Sequence, residues 1–537
     1  MATLRLPLTY SVEFRDSSTD KGSKMVNCFY EKDYETTYAK KRPGYAASGI
    51  ELGAGQGQGI FGYGSKLIAV KNNTVYDIVG TTATSIGTLT GNTDPLYFIN
   101  TLGNTYVFFH KTDSAYTLSG STVTQVKSDW VAFVTLQTGG SGYSSNPTVT
   151  FSAPPSGVTA TGTATVSGGV ITGINITNPG SGYVTAPSIT ITDSTGVNAT
   201  AICNLNSFPT GQTIVPGTVY LDGYTFVMTR DAKIWNSQIN DPTRWWALDY
   251  ITAEAEPDLG VGIAKHFNYL VAFGEWSTEF FYDAGTTTGS PLLPNQAMRI
   301  EFGCANGDSI VSMQETVVWV AQAKNVGKSV LMLENTRPVQ ISDPSIERIL
   351  NASNLSTVRA YSIQISGHYF YVLSLIDEGY TLVCDVKNKQ WCIWTSLVNN
   401  QETYVEGTYY TAFGNEHYTL DNLDGKVYNI REDAYSDESG PIQLRIRSSL
   451  IDFDSTKRKF ISRLEIVGDK VDSIMRIRHT DDDYQNWSPY RNVNLGDTRS
   501  VLYQNGSFRR RAYEFFHTDD VPLRLRFCEI DAEPGLV

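Results

Sequence analysis

The sequence predicts an all-β protein, built as a β-propeller of six or seven blades with an inserted small β-domain and a C-terminal β-sandwich. Composition is the first observation behind this prediction. Only 18% of the 537 residues are charged, while 46 are glycine, 31 tyrosine and 23 phenylalanine. Long solvated helices need more glutamate and lysine, so this balance favours strands and turns. Hydrophobic residues make up 41% of the chain, enough for sizeable cores.

A repeated hairpin pattern is the second observation. An apolar run, a turn and a second apolar run recur along most of the chain. The first runs begin at Leu67, Tyr106, Tyr224, Tyr269, Val317, Tyr369 and His417. Except for one interval of 118 residues, successive starts lie 39 to 52 residues apart. Four-stranded propeller blades repeat with this period, so seven hairpins indicate six or seven blades.

The long interval contains an insertion with its own composition. Residues 136–205 hold one charged side chain, Asp193, among Gly, Ser, Thr, Val, Ala and Pro. The stretch beginning Gly140-Ser-Gly-Tyr143 returns as Gly180-Ser-Gly-Tyr183. Valine and isoleucine follow at period two, which a flexible linker does not need. We therefore predict a small inserted β-domain.

Composition changes again near residue 441. Residues 441–537 carry a net charge of +1, which leaves −14 on residues 1–440. Apolar residues alternate with arginine in segments 443–448, 473–478 and 522–527, which predicts strands with one buried and one arginine-bearing face. The predicted domains are 1–135 (N-terminal segment and first blades), 136–205 (insertion), 206–440 (remaining blades) and 441–537 (β-sandwich).

Charge and hydropathy exclude several classes of function. The net charge of −13 does not indicate a basic surface that would bind nucleic-acid phosphates. No apolar run approaches the length of about 18 residues that a spanning helix needs. We expect no membrane spanning, and the first residues lack the pattern of a signal peptide. The six cysteines form no C-x-x-C pair, and we expect reduced, mostly buried thiols, although Cys384 and Cys392 could face each other across a hairpin.

No catalytic, cofactor-binding or metal-binding residue is predicted. The match Gly57–Gly62 to G-x-G-x-x-G precedes a strand and not a helix, and Gly327-Lys-Ser329 lacks the upstream glycine of a phosphate loop. The six histidines have no ligand spacing. Residues 480–487 resemble a degraded Asp-box, a structural turn of sialidase-like propellers, with a calcium site at Asp481–Asp483 as the alternative.

Arg509, Arg510 and Arg511 form the basic cluster of note. Glu514, Asp519 and Asp520 follow closely, which disfavours a nucleic-acid grip. We predict that the three arginines are subunit-interface residues that pair with acidic surfaces of a neighbouring subunit.

Several motifs carry a resemblance to a known family, the packaged-DNA stabilisation proteins, which are tail accessory or nozzle subunits of short-tailed bacteriophages. The matching segments are Met25–Tyr30, Arg42–Tyr45, Glu256–Gly262, Leu270–Gly274, Thr278–Tyr282, Ser345–Leu350, Gly506–Tyr513 and Val521–Arg526. The resemblance covers residues 1–135 and 206–537. The insertion has no counterpart in it.

The resemblance implies a virion tail protein, made in the host cytoplasm, that retains packaged DNA and forms the ejection channel. It implies a homo-oligomer of six copies below the head-to-tail adaptor ring. Tail fibres or spikes are further candidate partners, and double-stranded DNA would pass through the lumen without specific binding. The competing interpretation is a carbohydrate-binding or glycan-degrading propeller at the virion surface, which would suit the aromatic content of 12%.

Overall fold

The computed structural model describes residues 2–10, 24–33, 36–286 and 288–534. The chain divides into two compact units: residues 1–85 with 302–537 form the first, and residues 86–301 form the second. Strands dominate both units, so the predicted all-β class is confirmed.

Four blade sheets belong to the first unit. Their strands are β6 (Gly57–Tyr63), β7 (Lys66–Lys71), β8 (Thr74–Val79) and β9 (Thr82–Thr88); β28 (Gly303–Cys304), β29 (Val311–Met313), β30 (Thr316–Ala323), β31 (Val326–Glu334) and β32 (Arg337–Gln340); β33 (Arg359–Ile365), β34 (His368–Leu375), β35 (Tyr380–Asp385) and β36 (Gln390–Trp394); and β39 (Tyr409–Phe413), β40 (Glu416–Leu420), β41 (Val427–Arg431) and β5 (Gly44–Ala47). The last blade is completed by an N-terminal strand, because β5 pairs with β41. A strand from the start of the chain thus finishes a sheet built near residue 420.

Three blade sheets belong to the second unit. Their strands are β10 (Tyr97–Asn100), β11 (Val107–His110), β12 (Ala115–Ser119) and β13 (Thr122–Val126); β20 (Val219–Leu221), β21 (Tyr224–Met228), β22 (Lys233–Gln238) and β23 (Asp241–Thr252); and β24 (Gly260–His266), β25 (Tyr269–Gly274), β26 (Thr278–Asp283) and β27 (Leu292–Pro294). The described residues therefore contain seven blade sheets. Each of the seven hairpins that the sequence predicts lies in one of them, so periodicity alone located every blade.

The insertion forms a ribbon and a small sheet within the second unit. The ribbon pairs β14 (Val131–Ser141) with β19 (Val197–Leu205). The sheet has the order β17 (Val170–Asn178), β16 (Thr161–Ser167), β15 (Thr148–Phe151) and β18 (Ile189–Thr192). Its core is small and includes Phe151, Tyr183 and Cys203. The period-two pattern of residues 136–205 thus corresponds to real strands.

Strands from both ends of the chain share two further sheets of the first unit. One is a nine-stranded sheet in which β36 continues into β2 (Lys24–Val26), β44 (Leu444–Arg447), β50 (Ala512–His517), β46 (Ile474–Thr480) and β47 (Arg491–Asn494). The other contains β1 (Ala2–Pro7), β3 (Cys28–Asp33), β4 (Thr36–Lys41), β45 (Lys459–Gly468), β48 (Ser500–Tyr503), β49 (Ser507–Phe508) and β51 (Arg524–Pro534). The sequence divides residues 1–135 from 441–537, but the structure pairs strands of the two segments. Local sequence patterns do not predict which strands far apart in the chain will hydrogen-bond to each other.

Short elements complete the described chain. They are the ribbons β37 (Ser396–Val398) with β38 (Gln401–Thr403) and β42 (Ser436–Asp437) with β43 (Gly440–Pro441), the helix α1 (Pro344–Ala352), and 3-10 turns at Leu102–Asn104, Gln296–Met298, Gly307–Ser309 and Leu355–Thr357. Asp343 caps α1 by accepting hydrogen bonds from the amides of Ser345 and Ile346. No helix in the described ranges is long and apolar enough to cross a membrane.

Candidate interaction surface

One face of the nine-stranded sheet carries a cluster of charged and aromatic side chains near its C-terminal strands. Leu444, Ile446 and other alternate residues of β44 and β46 point into the core, as the sequence pattern predicted. Their neighbours point outward: Arg445 and Arg447 on β44, Arg476 and Arg478 on β46, and Lys24 on β2. We call these five residues the arginine face.

The register of the strands places two β50 side chains between pairs of arginines. Phe516 lies opposite both Arg445 and Arg476, whose guanidinium carbons are 5.6 Å and 4.5 Å from its ring centre. Glu514 lies opposite both Arg447 and Arg478. Its carboxylate has no solvent exposure and forms ion pairs with both of them. A buried carboxylate thus fixes two of the arginines, and an aromatic ring fixes the other two.

Two further aromatic residues, Trp487 and Tyr490, also contact the arginines of this face. Arg447 and Arg478 lie 5.2 Å and 4.8 Å from the ring centre of Trp487, and Arg478 lies 4.6 Å from that of Tyr490. The Tyr490 hydroxyl donates to Glu514 Oε1 at 2.6 Å. These ring contacts and ion pairs restrict the arginine side chains, so less side-chain entropy is lost when they bind a partner.

The charges on the arginine face are only partly balanced. Among the described residues, the ion pairs of this face join Glu514 to Arg447 and Arg478, and Glu402 to Arg445 at 2.6 Å, so five cations there share two carboxylates. Burial, together with the charges of Arg447 and Arg445, lowers the pKa of Lys24 to about 8. Burial alone would raise the pKa of Glu514, but Arg447, Tyr490 and Arg478 hold it below its usual value.

A groove of about 580 Å³ adjoins this surface. Lys24, Arg348 and Arg445 contribute cations to its lining, together with Glu378 and Glu402. Its apolar lining includes Val26, Ile349, Tyr380 and Ile393. The groove can therefore accept an apolar side chain beside the charged surface.

The structure separates the three arginines of the predicted subunit interface. Arg509 and Arg510 are exposed at a bend before β50. The Arg511 side chain is 2% exposed and forms an ion pair of 2.7 Å with Asp481. Arg511 therefore serves a contact within the chain, and its guanidinium does not reach the surface as that prediction requires. The three residues precede β50 and do not lie on one strand.

The turn at residues 480–487 is held by its own hydrogen bonds. Asp482 accepts from the Asn486 amide at 2.8 Å and from the Thr480 hydroxyl at 2.8 Å. These bonds lower the pKa of Asp482 to about 2. Among the described residues, no group of three or more His, Cys, Asp or Glu side chains is arranged to hold a metal ion. The turn ends at Trp487 and so presents that ring to the arginine face.

Sequence reasoning identified the arginine-bearing strands but missed the residues that order them. Lys24, Glu514, Trp487 and Tyr490 lie on segments whose pairing is long-range. A weak signal was present for Glu514, since a carboxylate within the apolar run Ala512–Phe516 requires a buried cationic partner. The Cys384 and Cys392 side chains belong to different cores on opposite sides of the sheet. All six cysteines are free and buried, as the sequence predicted.

The seven blade sheets define a β-propeller protein. Solved structures with a similar arrangement include the Pan2 WD40 domain of Neurospora crassa, with a TM-score of 0.37, 9% identity and coverage of 75% of this chain and 98% of that chain. BamB of Moraxella catarrhalis has a TM-score of 0.33, 12% identity and coverage of 73% and 99%.

Residues 64–435 match the family model Phage_stabilise, described as Bacteriophage P22 Gp10, beta-propeller. This is well over half of the chain, and the chain belongs to that family. A curated relative, the tail hub protein gp10 of Salmonella phage P22, is 23% identical over 150 residues. That alignment covers 26% of this chain and 31% of the relative. The resemblance that the sequence motifs indicated is thereby confirmed.

Proposed function

We propose that this protein is a structural subunit of a bacteriophage tail that closes the filled head, retains the packaged DNA and forms part of the ejection channel. The observation that carries the proposal is membership of the phage stabilisation family across residues 64–435. The relative named as a tail hub protein supports a place in the virion tail. The proposed role is mechanical and not enzymatic.

Two physical properties support this role. Propeller blades leave only short strand edges, which limits uncontrolled association in a crowded assembly. Residues 1–440 carry a charge of −14, and a channel lined by them would repel DNA phosphates. DNA would then slide through the lumen without specific binding. We further propose a ring of six copies, in contact with the head-to-tail adaptor ring and available to tail fibres or spikes.

Particles assembled without this protein test the proposal. Filled heads that lack it should lose their DNA, measured as nuclease-sensitive genome in purified particles, and adding the protein back should restore protection. A particle reconstruction would show its copy number and axial position. Heads that stay filled and nuclease-resistant without the protein would contradict the proposed role.

Glycan binding at the virion surface is a second candidate function, favoured by one cleft of the second unit. The cleft has a volume of about 500 Å³, and its lining includes the half-buried Trp130 with Asp129, Gln125, Thr124 and Ser181. An aromatic ring beside polar groups is the chemistry that binds sugars. Binding to host glycans on an array, reduced by Trp130→Ala, would support this candidate. Equal binding by both proteins would count against the cleft.

A further inference from the structure

We propose that the arginine face of one copy docks against an acidic surface of a second copy of this chain. This inference rests on the proposed ring, and it names the surface that holds neighbouring subunits together. The groove beside the face would receive an apolar side chain of the neighbour. The contact is heterologous, because a basic surface of one copy meets an acidic surface of the next.

The geometry of the face favours binding of carboxylates. Its arginines already contact the rings of Phe516, Trp487 and Tyr490 within the subunit. The side chains of Arg445, Arg447 and Arg478 remain 18%, 22% and 24% exposed. Each side chain is therefore partly exposed, and an arginine that is already restrained can bind a carboxylate with little further loss of freedom.

The charge balance favours it as well. In the described part of the chain, the five cations of the face lie around two carboxylates and repel one another; the pKa of Lys24 is lowered mainly by burial and additionally by Arg447 and Arg445. Additional carboxylates from a neighbour would relieve the repulsion. The free subunit thus carries an electrostatic cost that assembly removes.

A second copy fits the charge distribution better than DNA does. The chain has a charge of −13 even with the arginine face included, so its other surfaces supply acidic groups to a neighbour. The same negative charge repels a phosphate backbone that approaches the whole protein. A heterologous contact repeated by a rotation that closes gives a ring, whereas a self-matching contact would stop at a dimer.

The experiment measures the oligomeric state of the full chain by light scattering on a sizing column, over a range of protein and salt concentrations. The test variant replaces Lys24, Arg445 and Arg476 by glutamine, which spares the two arginines that neutralise the buried Glu514. The matched control replaces Arg337, Lys387 and Lys457 by glutamine, which are three exposed cations outside the face. Circular dichroism and thermal melting establish that each variant is folded.

The wild-type protein should form oligomers that dissociate as salt rises, and the test variant should associate at least tenfold more weakly than the control. The salt dependence of the unmodified protein gives a second measurement if the test variant does not fold. A test variant that assembles like the wild type, or loss of assembly in the control alone, would overturn the inference while leaving the proposed ring intact.

Salt-sensitive binding of a short DNA duplex that only the test variant loses would also overturn the inference, in favour of a nucleic-acid site. A wild type that stays monomeric throughout would contradict both the inference and the proposed ring, while DNA retention by particles still decides the tail function.

Discussion

Arg42 has no solvent exposure and forms the centre of a buried polar network in the first unit. Its guanidinium donates two hydrogen bonds to Asp437, at 2.8 Å and 2.5 Å, and one to Asn27 at 2.9 Å. It also donates to the carbonyl of Thr395 at 2.7 Å. These partners come from distant parts of the chain, so the network joins the N-terminal segment to a blade and to the segment that follows the last blade.

Asp437→Asn should strongly destabilise the protein. The substitution removes the charge that compensates a fully buried guanidinium, and such losses cost about 3–5 kcal/mol of unfolding free energy. Urea unfolding measures the loss. Asp433→Asn is the control, because Asp433 pairs with Arg431 at the surface and its loss should leave the midpoint unchanged. Equal midpoints for the two variants would contradict the importance of the buried pair.

Glu406 should make the stability of the protein depend on pH. Burial, together with the nearby Asp437 charge, raises the pKa of this carboxyl to about 7. The folded protein therefore keeps a proton that the unfolded chain, with an ordinary pKa near 4.5, gives up. The stability from this group is fully present below about pH 4.5 and is lost as the pH rises through 7, by up to about 3 kcal/mol.

Glu406→Gln should remove this dependence. Urea midpoints measured at pH 5 and pH 8 should differ less in the variant than in the wild type, because glutamine does not titrate. The exposed Glu416→Gln serves as the matched control and should keep the wild-type difference. An unchanged difference in the Glu406 variant would show that other groups cause it.

At the scale of structural elements, the repeat within the insertion forms two equivalent corners. Gly140 and Gly180 adopt φ values of 63° and 71°, a region in which side chains are strained. The Tyr143 hydroxyl accepts a hydrogen bond from the Ala199 amide at 3.1 Å, and the Tyr183 hydroxyl accepts one from the Ala160 amide at 2.8 Å. Each copy of the Gly-Ser-Gly-Tyr motif therefore supplies a turn and a tyrosine whose hydroxyl hydrogen-bonds that corner to another part of the insertion.

Tyr183→Phe should loosen the insertion by about 1–3 kcal/mol, because the buried amide of Ala160 loses its partner. Hydrogen exchange of the amides in residues 148–192 would report this local loss. Tyr220→Phe is the control, since its hydroxyl bonds Asn240 at an exposed site where water can replace it. Wild-type exchange rates in the Tyr183 variant would refute the fastening role.

At the scale of the whole molecule, the insertion should be removable. Thr135 and Ile202 are directly paired across the ribbon of β14 and β19, so their backbones already lie one strand spacing apart. Replacing residues 136–201 with Asn-Gly would close this ribbon with a two-residue hairpin turn. Thermal melting followed by circular dichroism should show that the shortened chain still unfolds cooperatively. A chain that no longer unfolds in one transition would show that the blades of the second unit depend on the insertion.

Much of the architecture could be predicted because propeller blades are local structures. Except for β5 in the last blade, the strands of each blade follow one another along the chain, so the hairpins beginning near Leu67 or Tyr224 are visible in a few dozen residues. The arginine-bearing strands were predictable for the same reason, since alternation with period two is a property of each strand alone. The candidate surface was only half predictable: Arg445 and Arg478 were identified as outward residues, but Lys24 and Trp487 were not.

The sequence by itself determined the β-class, the period of the blades, the presence of strands in the insertion and the faces of the C-terminal strands, because these depend on residues close together in the chain. The tertiary structure decided that β5 completes the last blade, that β2 joins the blade sheet to β44, and that Arg511 and Arg42 are buried with Asp481 and Asp437. These facts depend on contacts between residues tens to hundreds of positions apart. Local patterns predict that a strand or a buried charge needs a partner. Which residue becomes that partner is determined only by the tertiary structure.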